Sequence, residues 1–499
     1  MVKILLLKPP QTYIEGTLTG RPCLPFGLLY LAGSIEEANH NASIRDLLME
    51  GENQTIPTGK KSSVVNKRYL KRGLNDNQTI KIIKEEKPDL IGITCISMLQ
   101  EKDSKDLSKL IKQNFPEIPL VVGGTHATLN KEHMFFDSSF DYLIAGEGEK
   151  TIVSLIDSIF NKKEISEIPG LNYKFNGIIK QNKATLKSYL TYDSLPLPRY
   201  NKIKDIFNPL YDHTQIESKT DKPLGIFFSR GCGRCKHCSS GQSPYKGASI
   251  ENVLNLFNNL KDDSLDPKEI IVQDDDFFRN PQFVNQMINF FNNRGLFWNV
   301  EGGIIIQHLI NNGKVDHKLI ENLARSGLYR AYIPIENINP ASSQSMGRNY
   351  HNLSHKLIFE LFDSLKNNNI QADTAFILGT LNENKLDILK TVEFAKNLKS
   401  HTLGYIGLFS FKIFPGLEKY FKSKGYEFEL LGGPQEVAFD CFNIKTKNLN
   451  PLELNILREE WYREVNGTQF DIHLEGYWPG RTTYEEFKKW KVYKEIKTK

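Results

Sequence analysis

The sequence predicts an α/β protein: an N-terminal doubly wound parallel sheet, then a partial (β/α)6 barrel, then a small C-terminal α+β region. Two observations carry this. Apolar strand-length runs alternate with helix-length segments over residues 1–165 and again over 222–425. Between them, residues 166–221 lose that rhythm and read as a linker carrying a hairpin. Continuous apolar strands separated by helices belong to parallel sheets covered on both faces.

In the first block the strands are "KILLL", "ASIRDLL", "DLIGITC", "PLVVGG" and "DYLIAG", separated by helical segments such as "GLLYLAGSIEEAN" and "SKDLSKLIKQNF". Ligands of such a sheet sit beyond the carboxyl ends of its strands. "KPPQT", "TCIS", "GGTHAT" and "GEGE" fall there. In the linker, "GLNYKFNGIIKQN" reads as a hairpin turning at Asn176-Gly177, and "DSLPLPRYNK" as a proline-stiffened connector. The barrel strands are "GIFFS", "IIVQD", "WNVEGGI", "RAYIPI", "TAFILG" and "GYIGLFSF", whose following loops build the site. Residues 426–499 are mixed and aromatic-rich, a region expected to bear on substrate, although packing against the barrel accounts for most of Tyr477, Trp478, Trp490 and Tyr493.

At 499 residues the chain has room for about three domains. Its net charge of +5 does not by itself point to a nucleic-acid partner, and none is expected. No run approaches the ~18 apolar residues of a membrane span, and "MVKILLLKPP" reads as a first strand rather than a signal. A basic segment, with Lys60, Lys61, Lys67, Arg68, Lys71 and Arg72, reads as a solvated loop between a strand and a helix; an anion-binding or substrate-facing loop is the sharper alternative. Six cysteines, half of them clustered, suit a metal in a reducing cytoplasm rather than a disulfide framework.

The cluster is Cys232, Cys235 and Cys238 in "SRGCGRCKHCSSG", directly after the first barrel strand. A structural zinc needs four ligands, usually as two separated pairs, and His237 would have to bend back to supply the fourth. A four-iron–four-sulfur cluster takes three thiolates and leaves one iron open for another ligand. The iron–sulfur assignment fits better.

A strand, "SRGC", three clustered cysteines and a barrel together resemble the radical S-adenosylmethionine (SAM) enzymes. The preceding "KPP", "PFGLLYLAGSIEEANH", "DLIGITC", "VVGGTHAT" and "GEGE" resemble the cobalamin-binding domain found in the largest branch of that family. The resemblance implies that Cys232, Cys235 and Cys238 ligate a [4Fe-4S] cluster whose open iron chelates SAM, with His237 standing where that family usually has an aromatic carbocycle. It places Asp274, Asp275 and Asp276 near the methionine amine, Glu336 on the ribose hydroxyls, and Ile377 and Gly379 on the adenine. Two departures stand out: the cysteines are spaced C-x2-C-x2-C rather than C-x3-C-x2-C, and residue 237 is histidine.

For cobalamin, the resemblance implies contacts from Pro10, Gln11, Thr94, Ser97, Gly123, Gly124, His126, Gly146 and Glu147, with His126 bonding the periphery of the cofactor. "KPPQTY" stands where a cobalt-ligating histidine motif would lie, so cobalt is expected without a protein histidine. A literal motif match at "DIHLEG", with Asp471 and His473, lacks the strand-to-helix context and reads as chance. Cys95 is expected to be packing; Cys23 has no evident role, and Cys441 either packs or faces substrate. The implied activity is methylation of a poorly activated carbon. One SAM would supply methyl through cobalamin and a second would be cleaved reductively to a 5′-deoxyadenosyl radical. The alternatives are a cyclase, ring-rearranging or oxidising enzyme with the same cofactors, and a non-catalytic cofactor-binding protein. The expected partners are a small-molecule or biosynthetic-intermediate substrate and an external electron donor of the flavodoxin or ferredoxin type.

Overall fold

The computed structural model describes residues 1–466 apart from 15–22, 62–67, 162, 184–189, 209–210, 212–217, 236–237, 239–242, 348–352, 415–416 and 432–441. His237, Cys441, Asp471, His473 and the four tail aromatics named above therefore lie outside the described residues.

The N-terminal sheet contains β1 (Lys3–Lys8), β3 (Asn41–Asp46), β6 (Leu90–Thr94), β7 (Leu120–Gly123) and β8 (Tyr142–Ile144), all parallel, in the spatial order β3-β1-β6-β7-β8. These are the five strands expected from the sequence, buried almost throughout because helices cover both faces. The order reverses between β1 and β6, which opens a crevice beyond their carboxyl ends. The expected hairpin forms as β9 (Leu171–Phe175) and β10 (Ile178–Gln181), with Asn176 and Gly177 both at positive φ, 48° and 75°. It packs on the first sheet: β9 pairs antiparallel with β8 and extends that sheet.

The basic segment is a correction. Its described residues form strands, not a loop. β4 (Thr55–Lys61) and β5 (Arg68–Arg72) pair antiparallel, and β5 pairs in turn with β2 (Gln11–Ile14). β4 is exposed at every position, so it carries no apolar alternation to betray a strand. Tyr69 of β5 packs against Tyr13 and Ile14, which fixes the ribbon to the domain.

The barrel sheet is parallel throughout, in the order β11 (Pro223–Ile226), β14 (Glu269–Val272), β15 (Phe297–Val300), β18 (Leu328–Tyr332), β19 (Gln371–Leu378) and β20 (Ile406–Ser410). Between these lie two small antiparallel pairs, β12 (Ser229–Arg230) with β13 (Lys246–Gly247) and β16 (Ile310–Asn311) with β17 (Lys314–Val315). The open edge at β20 is covered. Asn466, ending the helix Pro451–Asn466, accepts from Ile406 N–H at 3.0 Å and donates to Ile406 C=O at 2.9 Å, and the Tyr462 hydroxyl accepts from Leu408 N–H. An uncovered strand edge invites pairing with another chain, so this helix has a structural task that its sequence did not announce. A last short pair, β21 (Glu429–Leu430) and β22 (Ile444–Lys445), leads into it.

The connector joins the two sheets. Pro196 and Leu197 press on the helix Phe26–Glu37 at Gly33, where an added Cβ would lie 2.5 Å from the Leu197 carbonyl oxygen. Tyr200, fully buried, donates its hydroxyl to the Gly225 carbonyl in β11. Phe26 of that helix meets Phe227 edge-on at 4.8 Å, and a Cβ at Gly225 would collide with the Phe26 ring at 2.8 Å.

Candidate functional site at the facing sheet edges

The loop after β11 carries the three thiols, none of them in a disulfide, with Cys235 buried and Cys232 and Cys238 partly exposed. Gly231 and Gly233 take φ of 73° and 72°, and a Cβ on Gly231 would sit 2.4 Å from the Pro244 carbonyl oxygen. The tight turn there needs glycine for both conformation and space. Burial pushes the Cys232 thiol up from its ordinary value, with neighbouring Asp276 adding to the effect. Among the described residues no three His, Cys, Asp or Glu side chains converge as a single metal ion requires. The donor set of three thiols on one loop, with Arg234 and Arg279 about Cys232, fits an anionic iron–sulfur cluster.

The three aspartates after β14 have separate placements. Asp274 is enclosed, accepting from Phe228 N–H at 2.7 Å and from the Ser229 hydroxyl at 2.5 Å. Burial raises its carboxyl to about 8 against these bonds. It ties the strand before the cysteine loop to β14. Asp276, also buried, bonds Arg234, Arg279 and His308. Asp275 is half-buried and is the one of the three with an accessible face. Glu336, beyond β18, has φ of +68°; its backbone carbonyl accepts from Ile377 N–H at 2.5 Å and its backbone N–H donates to the Ala375 carbonyl. A left-handed glutamate costs about 1–2 kcal/mol, and such an outlier at a strand end points to a functional constraint. Gly379, at φ +77°, faces Phe442, whose ring a Cβ would meet at 2.9 Å.

On the N-terminal sheet, Thr94 ends β6 and Ser97 lies just beyond it, and the Ser97 side chain makes no capping bond to the helix Met98–Asn114. Ile96 between them is 46% exposed, an apolar side chain left open at the crevice. Gly123 has room above it, with the nearest atom 3.6 Å from an added Cβ. Gly124 is demanded locally: φ is +116° and a Cβ would meet the Cys95 carbonyl oxygen at 2.6 Å. Gly146, at φ +87°, donates its N–H to Thr128. Pro10 and Gln11 are buried at the root of the β2 ribbon, Pro10 against Gly73. His126 is buried with both ring nitrogens engaged, Nε2 to Glu101 at 2.7 Å and Nδ1 to Asn130 at 3.3 Å. It positions Glu101, which Lys105 and His133 also bind. Cys95 is fully buried and its thiol pushed up to about 12 by that burial, as expected of packing. A crevice of small polar groups with one exposed isoleucine fits a large, partly apolar ligand, and an engaged His126 fits cobalt without a histidine.

Sequence reasoning missed the contact that brings the two edges together. Arg230, one residue before Gly231, lies 2.8 Å from Glu149 and 3.7 Å from Glu147, both in the "GEGE" loop. Its guanidinium also stacks 4.4 Å above the ring of Tyr30. Lys246 of β13 binds Glu147 as well. Tyr30 and Tyr192 share a hydroxyl hydrogen bond at 2.9 Å, and Tyr192 donates to the Phe227 carbonyl. Two acids and two bases thus latch the cysteine loop to the first sheet. Glu147 Oε2 and Glu149 Oε2 are buried without a hydrogen-bond partner among the described residues, leaving acceptors for N–H or O–H donors of a ligand between the edges. The one signal in the sequence was Arg230 itself, a lone charge between an apolar strand and the cysteines.

A B12-binding domain model matches residues 19–156, and a radical SAM superfamily model matches residues 226–395. The chain is a cobalamin-dependent radical SAM protein. Its cofactors are cobalamin, a [4Fe-4S] cluster and SAM. It is 26% identical over 408 residues to an uncharacterized methyltransferase of Pyrococcus horikoshii, covering 80% of this chain and 78% of that one. It is 25% identical over 365 residues to the cytidylyl-2-hydroxyethylphosphonate methyltransferase of Streptomyces wedmorensis, covering 67% and 65%. Among solved structures, the radical SAM methyltransferase TsrM of Kitasatospora setae, with tryptophan and a SAM analogue bound, superposes with a TM-score of 0.62 at 15% identity, covering 93% of this chain and 83% of that one. The cobalamin-dependent enzyme OxsB, with aqua-cobalamin and SAM bound, gives 0.68 at 15% identity, covering 95% and 68%. These two show the fold. No helix among the described residues is long and apolar enough to cross a membrane.

Proposed function

We propose that this protein methylates an unactivated carbon of a small-molecule substrate. The observation that carries the reading is that the two relatives quoted above, matching 80% and 67% of this chain, are methyltransferases. Cys232, Cys235 and Cys238 hold the cluster, and Asp275 and Glu336 bind the amine and ribose of SAM, with Ile377 and Gly379 against its adenine. Thr94, Ser97, Gly123 and Gly146 line the cobalamin crevice, with Glu147 accepting at its rim. When bound, cobalamin supplies a methyl carrier and the cluster supplies the electron for reductive SAM cleavage. The chain's own contribution is to orient: Asp274 fixes the strand that launches the cysteine loop, and the Arg230 latch sets the spacing of the two edges. An external reductant of the flavodoxin or ferredoxin type and a reducing cytoplasm complete the proposal.

The test uses SAM labelled in its methyl group, with protein, cobalamin, reductant and a substrate found by comparing metabolites with and without the gene. Labelled product should form together with S-adenosylhomocysteine and 5′-deoxyadenosine. Product carrying no label, with 5′-deoxyadenosine alone, would favour the cyclase class, to which one relative belongs: a magnesium-protoporphyrin IX monomethyl ester cyclase of Synechocystis, 20% identical over 248 residues.

A further inference from the structure

We infer that Asp276 is a positioning residue that clamps the shortened cysteine loop and thereby retains its iron–sulfur cluster. The inference rests on the cluster assignment above. One carboxylate, 1% exposed, organises three cations or potential cations. Its Oδ2 lies 2.9 Å from Arg234 Nε and 3.5 Å from Arg279 Nη1, and its Oδ1 lies 2.9 Å from His308 Nε2. Both arginines act on the loop. Arg234 lies between Cys232 and Cys235, and its backbone N–H donates to the Cys232 thiol. Arg279 donates from Nη1 to the Cys232 carbonyl at 2.9 Å and lies over the Tyr245 ring at 5.4 Å.

A loop with two residues between successive ligands has few backbone torsions to spare, and Gly231 and Gly233 already occupy left-handed conformations. Its first ligand is therefore held by the Arg234 N–H and the Arg279 side chain rather than by regular secondary structure. The guanidinium groups of both residues converge on Asp276. The same arrangement brings two arginines to Cys232, and a charge-assisted bond from a buried carboxylate is the stronger kind of tether. Asp276 thus acts on the cluster through Arg234 and Arg279, not on SAM.

The test measures iron and sulfide content and the rate at which a chelator bleaches the reconstituted cluster under anaerobic conditions, without substrate. Asp276→Asn should lose the cluster about tenfold faster than wild type, as expected for breaking a charge-assisted bond. Arg234→Gln, at a side chain that is 39% exposed, should reproduce most of that loss, so misfolding of Asp276→Asn cannot decide the outcome. The double variant should be little worse than either single one, because both break the same contact. Asp274→Asn, equally buried but bonded elsewhere, should bleach more slowly than Asp276→Asn. Wild-type bleaching rates in Asp276→Asn and Arg234→Gln, or fully additive effects, would overturn the clamp. If wild type itself binds no iron, the cluster assignment fails first, and the two failures are distinguished.

Discussion

Replacing Glu149 by glutamine removes one charge from the latch between the sheets and leaves Arg230 in place. The Glu149 side chain is 5% exposed and Arg230 21%, so the pair interacts largely out of water. At 2.8 Å the gross attraction is about 6 kcal/mol with an effective dielectric near 20. Most of that is offset by desolvation. Glutamine can still accept a hydrogen bond, and Glu147 remains 3.7 Å from the guanidinium. The net loss expected is about 2 kcal/mol, which for a domain of this size lowers the melting temperature by about 4–8 °C. The assay is thermal unfolding of the full chain, combined with a double-mutant cycle to Arg230→Met. Removing both partners should cost less than the sum of the single changes by about 1.5–2 kcal/mol, because no uncompensated charge is then left at the interface. Strict additivity, or a melting temperature unchanged in Glu149→Gln, would refute the latch.

Changing Cys232, Cys235 and Cys238 together to alanine should abolish the visible absorption of a reconstituted preparation that in wild type holds about four irons; a triple variant that keeps its cluster would sink the assignment. His126→Ala should leave the cobalt coordination spectrum unchanged while lowering stability by about 1–3 kcal/mol, because Glu101 loses a buried partner. A cobalt-bound nitrogen signal that vanishes in this variant would contradict the engaged ring seen here. Asp103 gives a pH prediction. Burial raises its carboxyl to about 6 despite hydrogen bonds from the Thr12 hydroxyl and N–H. The native state therefore keeps this proton when the unfolded state has released it, so this group's contribution to stability declines as pH rises from about 4 to 6 and is flat above. Urea unfolding should show that decline in wild type and lose it in Asp103→Asn.

Much of this was legible in the chain because it is written locally. Each run from "KILLL" to "GYIGLFSF" contains a strand where expected, since parallel strands covered on both faces are rich in apolar residues. Asn176-Gly177 turns a hairpin because both residues tolerate positive φ. The cysteine triplet and the residues after β6, β7 and β8 could be placed because strand ends and the loops beyond them follow one another in sequence. The polar ribbon of β4 was not legible, because a strand exposed on every residue has no pattern to read.

The tertiary structure alone decided what each charged residue does. Asp274, Asp275 and Asp276 are three identical letters in a row, yet one fastens a strand, one keeps an accessible face and one gathers two arginines and a histidine. Arg230 meets Glu149 across 81 residues of chain, and Asn466 reaches Ile406 across 60. Periodicity, turn chemistry and ligand spacing are properties of neighbours along the chain. An ion pair or an edge cap is a property of neighbours in space, set by how two sheets dock, and burial then fixes how strongly each one acts.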